Sequence, residues 1–326
     1  MLVTGGAGYV GSHVAKALNR AGYRVVVYDN LTAGHREAVR WGPLVEGDIA
    51  DGSVVRETLR RHEVFAVVHC AALLDVAESV REPGRYYRNN VIGALTVLEA
   101  MAAEWVGYFI LSSTCATYGE PTETPIPETH PQCPISSYGE TKLAIERALP
   151  HFERAHGMRS AVLRYFNAAG ADPDAEIGED HTPEVHLIPR SIAAATGGPC
   201  LQIFGDDYPT ADGTCLRDYV HVSDLADVHV QALDHVVTRG QSDAYNLGTG
   251  LPHSVRDVIT AVEGATGRRV PWTAGPRRAG DPPVLCAAVD KARRELRWAP
   301  RFPDLESIVR TAWAWHQSHP HGYSRG

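Results

Sequence analysis

Leu2-Val3-Thr4-Gly5-Gly6-Ala7-Gly8-Tyr9-Val10-Gly11-Ser12-His13 stands at the start of the chain, and its reading decides the fold. Leu2 and Val3 read as a short buried strand. Val10, Val14, Ala17, Leu18 and Ala21 recur at helical spacing, which predicts a helix over Val10 to Ala21. Between the two lie glycines at 5, 8 and 11. The spacing is Gly-x-x-Gly-x-x-Gly rather than the commoner Gly-x-Gly-x-x-Gly, yet the physics is shared. Glycine permits the tight turn, lets the backbone approach a pyrophosphate and allows close helix–strand packing, while the helix N-terminus faces the anion. The bland alternative is an ordinary strand–turn–helix with a glycine-rich turn.

Asp29 weighs against that alternative. It ends the next apolar run, Arg24-Val25-Val26-Val27-Tyr28, eighteen residues past Gly11. A carboxylate there accepts hydrogen bonds from adenosine ribose hydroxyls and repels a 2′-phosphate, which favours NAD over NADP. Glycine loop, helix, strand and terminal acid arrive in the order a dinucleotide site requires, so NAD is the expected cofactor. Gly47-Asp48-Ile49, after a strand near Leu44-Val45, is expected to contact the adenine edge.

Working outward, strand-like and helical runs alternate through the first half. Val64 to Ala71 reads as a strand, Pro83 to Ala103 as a long helix, Val106 to Ser113 as a strand, Ser137 to His156 as a helix and Ser160 to Tyr165 as a strand. Such alternation predicts the α/β class, a doubly wound parallel sheet of the Rossmann kind with helices on both faces. Ligands of these folds bind beyond the carboxyl ends of strands. Thr4-Gly5, Asp29, Ala71-Ala72, Ser112-Ser113-Thr114 and Phe166-Asn167 all stand at such ends. After Asn167 the texture changes. Ala168 to Glu184, Gly205 to Thr214 and Pro271 to Pro283 read as loops, the last holding Arg277, Arg278 and Asp281. Residues 1–167 are therefore expected to form the NAD-binding domain, joined by about 220–247, where Val222 to Val237 and Tyr245-Asn246-Leu247 look regular. Residues 168–326 are expected to be mainly a smaller α/β substrate-binding domain.

Composition narrows the function classes. A chain of 326 residues can bury one large or two moderate cores. Its net charge of -8, with Lys and Arg scattered, argues against nucleic acid as the partner. No apolar run reaches the roughly 20 residues that span a bilayer. Six cysteines without a Cys-x-x-Cys pair read as reduced thiols of a cytoplasmic enzyme, with neither a disulfide framework nor a zinc site. The chain begins almost on its first strand, which is expected to leave no room for a signal peptide. His316, His319 and His321 cluster in a polar segment and read as a solvated terminus, so no metal is expected. Trp298, Trp313 and Trp315 read as core or interface aromatics, and Asp224 and Asp227 as capping and dipole groups of one helix.

The chemistry is expected in Tyr138-Gly139-Glu140-Thr141-Lys142, with Thr114 upstream. Residues i and i+4 of a helix share a face, so a phenol and an ammonium so placed can act on one substrate hydroxyl. Phenol has a reference pKa near 10. Half-ionising it at pH 7 takes a shift of about three units, roughly 4 kcal/mol. A nearby Lys⁺ and an oxidised, positively charged cofactor supply a field of the right sign.

With these residues assembled, the chain resembles the extended short-chain dehydrogenase/reductases and, within them, the UDP-glucose 4-epimerase family. The likeness runs nearly end to end, from the glycine loop to Trp313-Ala314-Trp315. Its most specific stretches are Leu163-Arg164-Tyr165-Phe166-Asn167, Ile203-Phe204-Gly205-Asp206-Asp207-Tyr208-Pro209-Thr210, Arg217-Asp218-Tyr219-Val220-His221-Val222 and Tyr245-Asn246-Leu247-Gly248. The resemblance implies that Tyr138 is the acid/base, that Lys142 binds cofactor ribose and depresses the Tyr138 pKa, and that Thr114 hydrogen-bonds the sugar O4. It implies cofactor contacts from the glycine loop with Tyr9 and Val10, from Asp29, Asn30 and Leu31, from Asp48 and Ile49, from the segment Cys70, Ala71, Ala72 to Leu74, and from Asn89 and Phe166. It implies UDP-sugar contacts from Asn167, His186, Leu187, Gln202, Ile203, Phe204, Arg217, Arg278 and Asp281. Arginine suits a diphosphate because it offers a planar, permanently charged donor fork. Leu74 stands where some relatives carry Lys, and His186 where some carry Asn. Leu285 occupies a position whose bulk varies with tolerance of a 2-acetamido group, and here it is expected to permit at least partial use of N-acetylated sugars. Relatives also imply a homodimer built on Val80-Arg81-Glu82 and the Ala144 to Leu149 helix face.

The implied reaction is inversion at C4 of a UDP-hexose, UDP-galactose to UDP-glucose, through a transient 4-keto sugar. Three alternatives stay open. One is a 4-epimerase for UDP-N-acetylglucosamine or a UDP-pentose. Another is a nucleotide-sugar 4,6-dehydratase, which needs an acid and a base that Cys115-Ala116 after Thr114 does not provide. The third is a silent NAD-binding protein, which has no reason to keep Thr114, Tyr138 and Lys142 together.

Overall fold

Successive side chains of a strand point to opposite faces of its sheet, so a strand covered on both sides must be apolar at consecutive positions. The computed structural model describes residues 1–278 and 281–323, and its central strands follow that rule. In chain order the strands are β1 (Leu2–Thr4), β2 (Val26–Asp29), β3 (Leu44–Glu46), β4 (Ala66–His69), β5 (Tyr108–Thr114) and β6 (Arg159–Tyr165). Then come β7 (Asn167–Ala169), β8 (Leu201–Phe204), β9 (Leu216–His221), β10 (Asp243–Leu247), β11 (Pro252–Ser254), β12 (Trp272–Gly275) and β13 (Val284–Leu285).

Seven of them form one parallel sheet in the order β10-β6-β5-β4-β1-β2-β3. Leu2, Val67, Phe109 and Leu111 point to one face, against Leu59, Leu98, Met101, Ile145 and Leu149 of its helices. Val3, Val68, Ile110 and Leu163 point to the other, against Val14, Leu18, Leu225, Val228 and Leu233. The strand order reverses between β1 and β4, and a ligand crevice of such a sheet opens there, at the carboxyl ends. The glycine loop follows β1 directly. A third apolar cluster, with Ile188, Ile192, Leu201, Ile203, Val258, Val262 and Ile308, lies among the later elements. Around it β9 pairs with β7, β11 and β13, and β8 pairs with β12.

Four local expectations need correction. The helix read over Pro83 to Ala103 is interrupted: a turn at Pro83–Tyr86 runs into a π-helical stretch, Tyr87–Ile92, before regular helix resumes at Gly93–Ala103. The loop read over Pro271 to Pro283 contains β12, and its Ala279 and Gly280 lie outside the described residues. His316 belongs to the helix Leu305–Ser318, and His319 stacks on Trp315 at 4.9 Å and 12°, so these two rings pack against the body instead of forming a solvated tail. Asp224 is not the cap of its helix, because the His221 ring accepts from Ser223 N. The Asp224 carboxylate instead accepts from the backbone N–H groups of Arg301 and Phe302 at 2.9 and 3.0 Å. Trp298 and Trp315 are core residues.

Candidate active site

A left-handed residue and two close backbone approaches shape the first loop. Gly5 has φ +68°, and a Cβ on it would sit 2.6 Å from Ala71 N. A Cβ on Gly11 would stand 2.1 Å from Gly5 O. Both positions therefore admit only glycine, and the cradle so formed is one that a pyrophosphate can approach. The helix Tyr9–Arg20 starts at Gly8 without a side-chain cap, which leaves its first N–H groups available to an anion. Val10 lies in its first turn. The Tyr9 hydroxyl donates to Gly170 O at 2.6 Å and so is turned toward β7.

Asp29, at the end of β2, accepts from Ala7 N at 3.0 Å and Leu31 N at 2.9 Å. Burial pushes its carboxyl up, and those two N–H groups oppose the shift. A carboxylate has about four acceptor sites, so capacity remains for ribose hydroxyls. Leu31 adopts φ +58°, a costly conformation for a branched residue and one that gathers at ligand sites. Asn30 donates to the Asp48 carboxylate at 3.0 Å, and Ile49 is buried against Gly93. Cys70 continues β4, its N–H on Thr4 O at 2.9 Å. Ala71 and Ala72 are half-buried, while Leu74 is 39 % exposed. Asn89 sits in the π-helical stretch, and Phe166 is buried where β6 ends. Glycine loop, Asp29 and the segment after β4 thus line one crevice, and these residues fit a dinucleotide.

The helix Ser137–His156 carries Tyr138 and Lys142 beside the end of β5. Ser136 caps it by accepting from Gly139 N. Lys142 is 2 % exposed, and its Nζ donates to Ser112 O at 2.7 Å. Thr114, the last residue of β5, is 8 % exposed and accepts from Ala116 N at 3.1 Å. Burial pushes the Tyr138 phenol up to about 12, and the facing Thr114 hydroxyl opposes that shift. Burial lowers Lys142 to about 8, against the pull of Cys70 and Glu146. This departs from the expected low phenol pKa: within the protein alone, desolvation of the phenolate outweighs the polar groups around it.

The residues expected on the substrate side fall into pairs. The Arg217 guanidinium meets the Asp281 carboxylate, and Arg278 lies 3.9 Å from the centre of the Phe204 ring. Burial pushes the thiol of Cys115, the neighbour of Thr114, up to about 12, and the Arg217 charge opposes that shift. Asn167 opens β7 in register with Tyr219, and His186 stands immediately before the helix Leu187–Ala195. Two residues do not join the group through their side chains. Ile203 is 2 % exposed inside the third apolar cluster, and Gln202 points outward from β8.

Sequence reading missed the groups that hold the site from behind. Buried Asn90 accepts from Leu73 N at 2.8 Å and donates to Leu73 O and to Thr141 Oγ1, each at 3.1 Å, clamping the segment after β4 to the Tyr138 helix. Glu146, one turn past Lys142, receives Arg164 at 2.7 Å and the Ser113 hydroxyl. It missed also Glu179, His181 and Glu184, which converge with His186. The repeated Glu-x-His spacing was the available signal.

Residues 1–248 match the profile of the NAD dependent epimerase/dehydratase family. The chain is 51 % identical to UDP-glucose 4-epimerase of Rhizobium leguminosarum bv. trifolii over 97 % of each chain. It superposes on the crystal structure of UDP-glucose 4-epimerase from Brucella ovis in complex with NAD with a TM-score of 0.94, at 50 % identity, covering 96 % of this chain and 97 % of that one. The enzyme of Stenotrophomonas maltophila, solved with NAD and formylated UDP-arabinopyranose, gives 0.94 at 39 % identity, covering 98 % of both. A crevice built for a dinucleotide, a tyrosine and a lysine at its edge, and sequence likeness across the whole length converge: this chain belongs to the NAD dependent epimerase/dehydratase family.

Proposed function

We propose that this protein inverts C4 of a UDP-hexose, interconverting UDP-galactose and UDP-glucose, with NAD held in the crevice between β1 and β4. The observation that carries the reading is Tyr138 facing Thr114, with Lys142 one turn along the same helix and pinned to β5. When bound, NAD supplies a hydride acceptor for C4 that later returns the hydride. The chain's own residues manage the proton and the sugar. Thr114 holds the 4-hydroxyl, and Tyr138, ionised, takes its proton and gives it back after the flat 4-keto sugar has turned over. Lys142 stabilises the phenolate by its charge. Arg217 and Arg278 suit the UDP diphosphate, and firm binding there with loose binding of the hexose lets the sugar turn.

Supplying UDP-galactose without an added electron acceptor tests this. UDP-glucose should accumulate to a fixed equilibrium ratio with no net NADH. A protein that binds NAD and converts nothing would instead be the silent alternative. A second reading, wider use of UDP-sugars, has one specific support: Leu285 in β13 is only partly buried and borders the cluster of Cys115, Tyr118 and Phe166, beside Arg217. No carboxylate follows Thr114, which leaves the dehydratase reading without an acid and base.

We infer further that the protein acts as a homodimer in the cytoplasm. Val76 and Val80 are 47 % and 62 % exposed beside the Tyr138 helix, which suits a helical contact between two copies. All six cysteines are free, which suits a reducing compartment. Among the described residues no helix is long and apolar enough to cross a membrane. Light scattering behind a sizing column would measure twice the chain mass for the dimer.

A further inference from the structure

Glu179-Asp180-His181 and Glu184-Val185-His186 repeat one pattern, an acid and an imidazole two residues apart. The chain folds on itself there, so that one ligand atom from each of Glu179, His181, Glu184 and His186 lies within 4.8 Å of all the others. His186 Nδ1 and His181 Nδ1 stand 2.5 and 3.3 Å from the same Glu179 Oε1. His181 Nδ1 is 3.6 Å from Glu184 Oε2, and His186 Nδ1 is 3.5 Å from Glu184 Oε1. Despite these distances, Glu179 Oε1, His181 Nδ1 and His186 Nδ1 have no partner of hydrogen-bond geometry, and each is shielded from solvent. Glu179 as a whole is 5 % exposed. Charge attraction holds these groups together, yet a buried carboxylate oxygen and two imidazole nitrogens without hydrogen-bond geometry are costly, so the convergence leaves a place for a ligand at its centre.

We propose that Glu179, His181, Glu184 and His186 form a binding site for a divalent cation of the zinc class. Two imidazole nitrogens and two carboxylate oxygens are a donor set that zinc accepts and that magnesium or calcium, which take oxygen ligands, do not favour. A tetrahedron with metal–ligand bonds of about 2.0–2.2 Å has edges of roughly 3.3–3.6 Å. The two separations from His181 Nδ1, 3.3 Å to Glu179 Oε1 and 3.6 Å to Glu184 Oε2, already match, while the His186–Glu179 contact has to open. Four protein ligands close the shell, so the ion is structural. Its position suits a clamp. The His181 ring meets the Tyr9 ring edge-on at 6.2 Å, His35 Nε2 contacts Asp180 O at 3.0 Å, and the helix Leu187–Ala195 starts directly after His186. The ion thereby ties the glycine-loop side of the crevice to the segment that begins the substrate side.

Metal analysis of untagged protein, purified without chelator, decides the matter. The expected result is close to one zinc per chain, a melting temperature that falls by several degrees on chelation, and recovery with zinc but not with magnesium. Glu179→Gln and His181→Asn should each abolish both the bound metal and the zinc response. Cobalt added to the chelated wild type should give the intense visible bands of a tetrahedral site, a readout that depends on neither activity nor a folded variant. A wild type that carries no metal above background, shows no thermal response to zinc and gives no cobalt spectrum overturns the proposal, and leaves a protonated His–carboxylate network in its place. Equal zinc binding by wild type and both folded variants also overturns it, by assigning the metal to surface histidines.

Discussion

Lys142 Nζ donates to the carbonyl oxygen of Ser112 at 2.7 Å, two residues before Thr114 at the end of the same strand. The bond fixes the distance between the helix that carries the phenol and the strand that carries the hydroxyl. Glu146, one turn further, strengthens that fixture by holding Arg164 of the neighbouring strand. Tyr138 is thus presented on a rigid element. Tyr138→Phe removes the hydroxyl that exchanges the O4 proton in the proposed reaction and leaves the ring to fill the same space. It should lower kcat by about 10²–10⁴-fold while leaving NAD bound. Turnover of UDP-galactose and the NAD released on denaturation measure the two parts, and wild-type turnover would remove Tyr138 from its role.

Lys142→Met should move the acid limb of the pH–rate profile toward alkaline pH. Burial pushes the Tyr138 phenol up to about 12, so ionising it in the proposed reaction calls for positive charge brought near it. An ammonium favours the phenolate. Removing it raises the phenol pKa further, and each unit lowers the ionised fraction at fixed pH about tenfold. A limb that stays where it is in the wild type would show that Lys142 only binds.

Thr114→Ser keeps the hydroxyl and should keep most of the activity. Thr114→Val keeps the volume and loses the hydroxyl, which opposes the upward shift of Tyr138 and holds the sugar O4 in the proposed reaction. It should cost kcat about 10–100-fold with little change in KM, the mark of a bond that matters in the transition state. Equal loss in both variants would point to packing.

What could be read from the sequence follows from how local each signal is. The strands around the crevice carry consecutive apolar residues, and Phe109, Ile110 and Leu111 could hardly be anything but a covered strand. The glycine loop with Asp29 is equally local in its pattern, as is the pair Tyr138 and Lys142 on one helix face. β12 escaped because its residues are mostly exposed and gain their order only by pairing with β8. The π-helical stretch at Tyr87–Ile92 escaped because a helix with one wide turn keeps nearly the same apolar spacing. Asn90 and Glu146 act on residues 17 and 18 positions away, through pairings that exist only once the sheet has formed. The phenol pKa escaped for the same reason, since desolvation is a property of the packed site. The proposed sugar and diphosphate contacts came from family likeness alone, because Arg217 in β9 and Asp281 in the loop before β13 carry no local pattern that marks a ligand.

Leu285→Tyr should narrow the substrate range. Leu285 packs beside Phe166 and Ala287 and follows the strand register of Arg217, so added bulk there intrudes on space next to the proposed diphosphate contact. The ratio of kcat/KM for UDP-N-acetylglucosamine to that for UDP-glucose should fall about tenfold or more, since a blocked acetamido group costs at least about 1.4 kcal/mol. Parallel assays of both sugars on wild type and variant provide the ratio. An unchanged ratio would place the acetamido pocket elsewhere.

His229→Gln should flatten the acid side of the stability curve. The His229 ring is buried, with Nδ1 on Leu225 O at 2.7 Å and Nε2 against the Tyr165 hydroxyl. Burial lowers its pKa to about 4, and the Leu225 bond opposes that shift only in part. The unfolded chain has the ordinary value near 6.5. Below 6.5 the unfolded state therefore binds the proton that the folded state refuses. The contribution is whole above pH 6.5 and is lost at about 1.4 kcal/mol per unit as pH falls toward 4. The glutamine side chain has no proton to gain, although it packs less well, so the variant starts less stable and loses less. The gap between wild type and variant in urea unfolding should narrow by about 1.4 kcal/mol per pH unit once the pH is well below 6.5. Parallel curves between pH 6 and about 4.5 would mean that the buried ring already carries its charge.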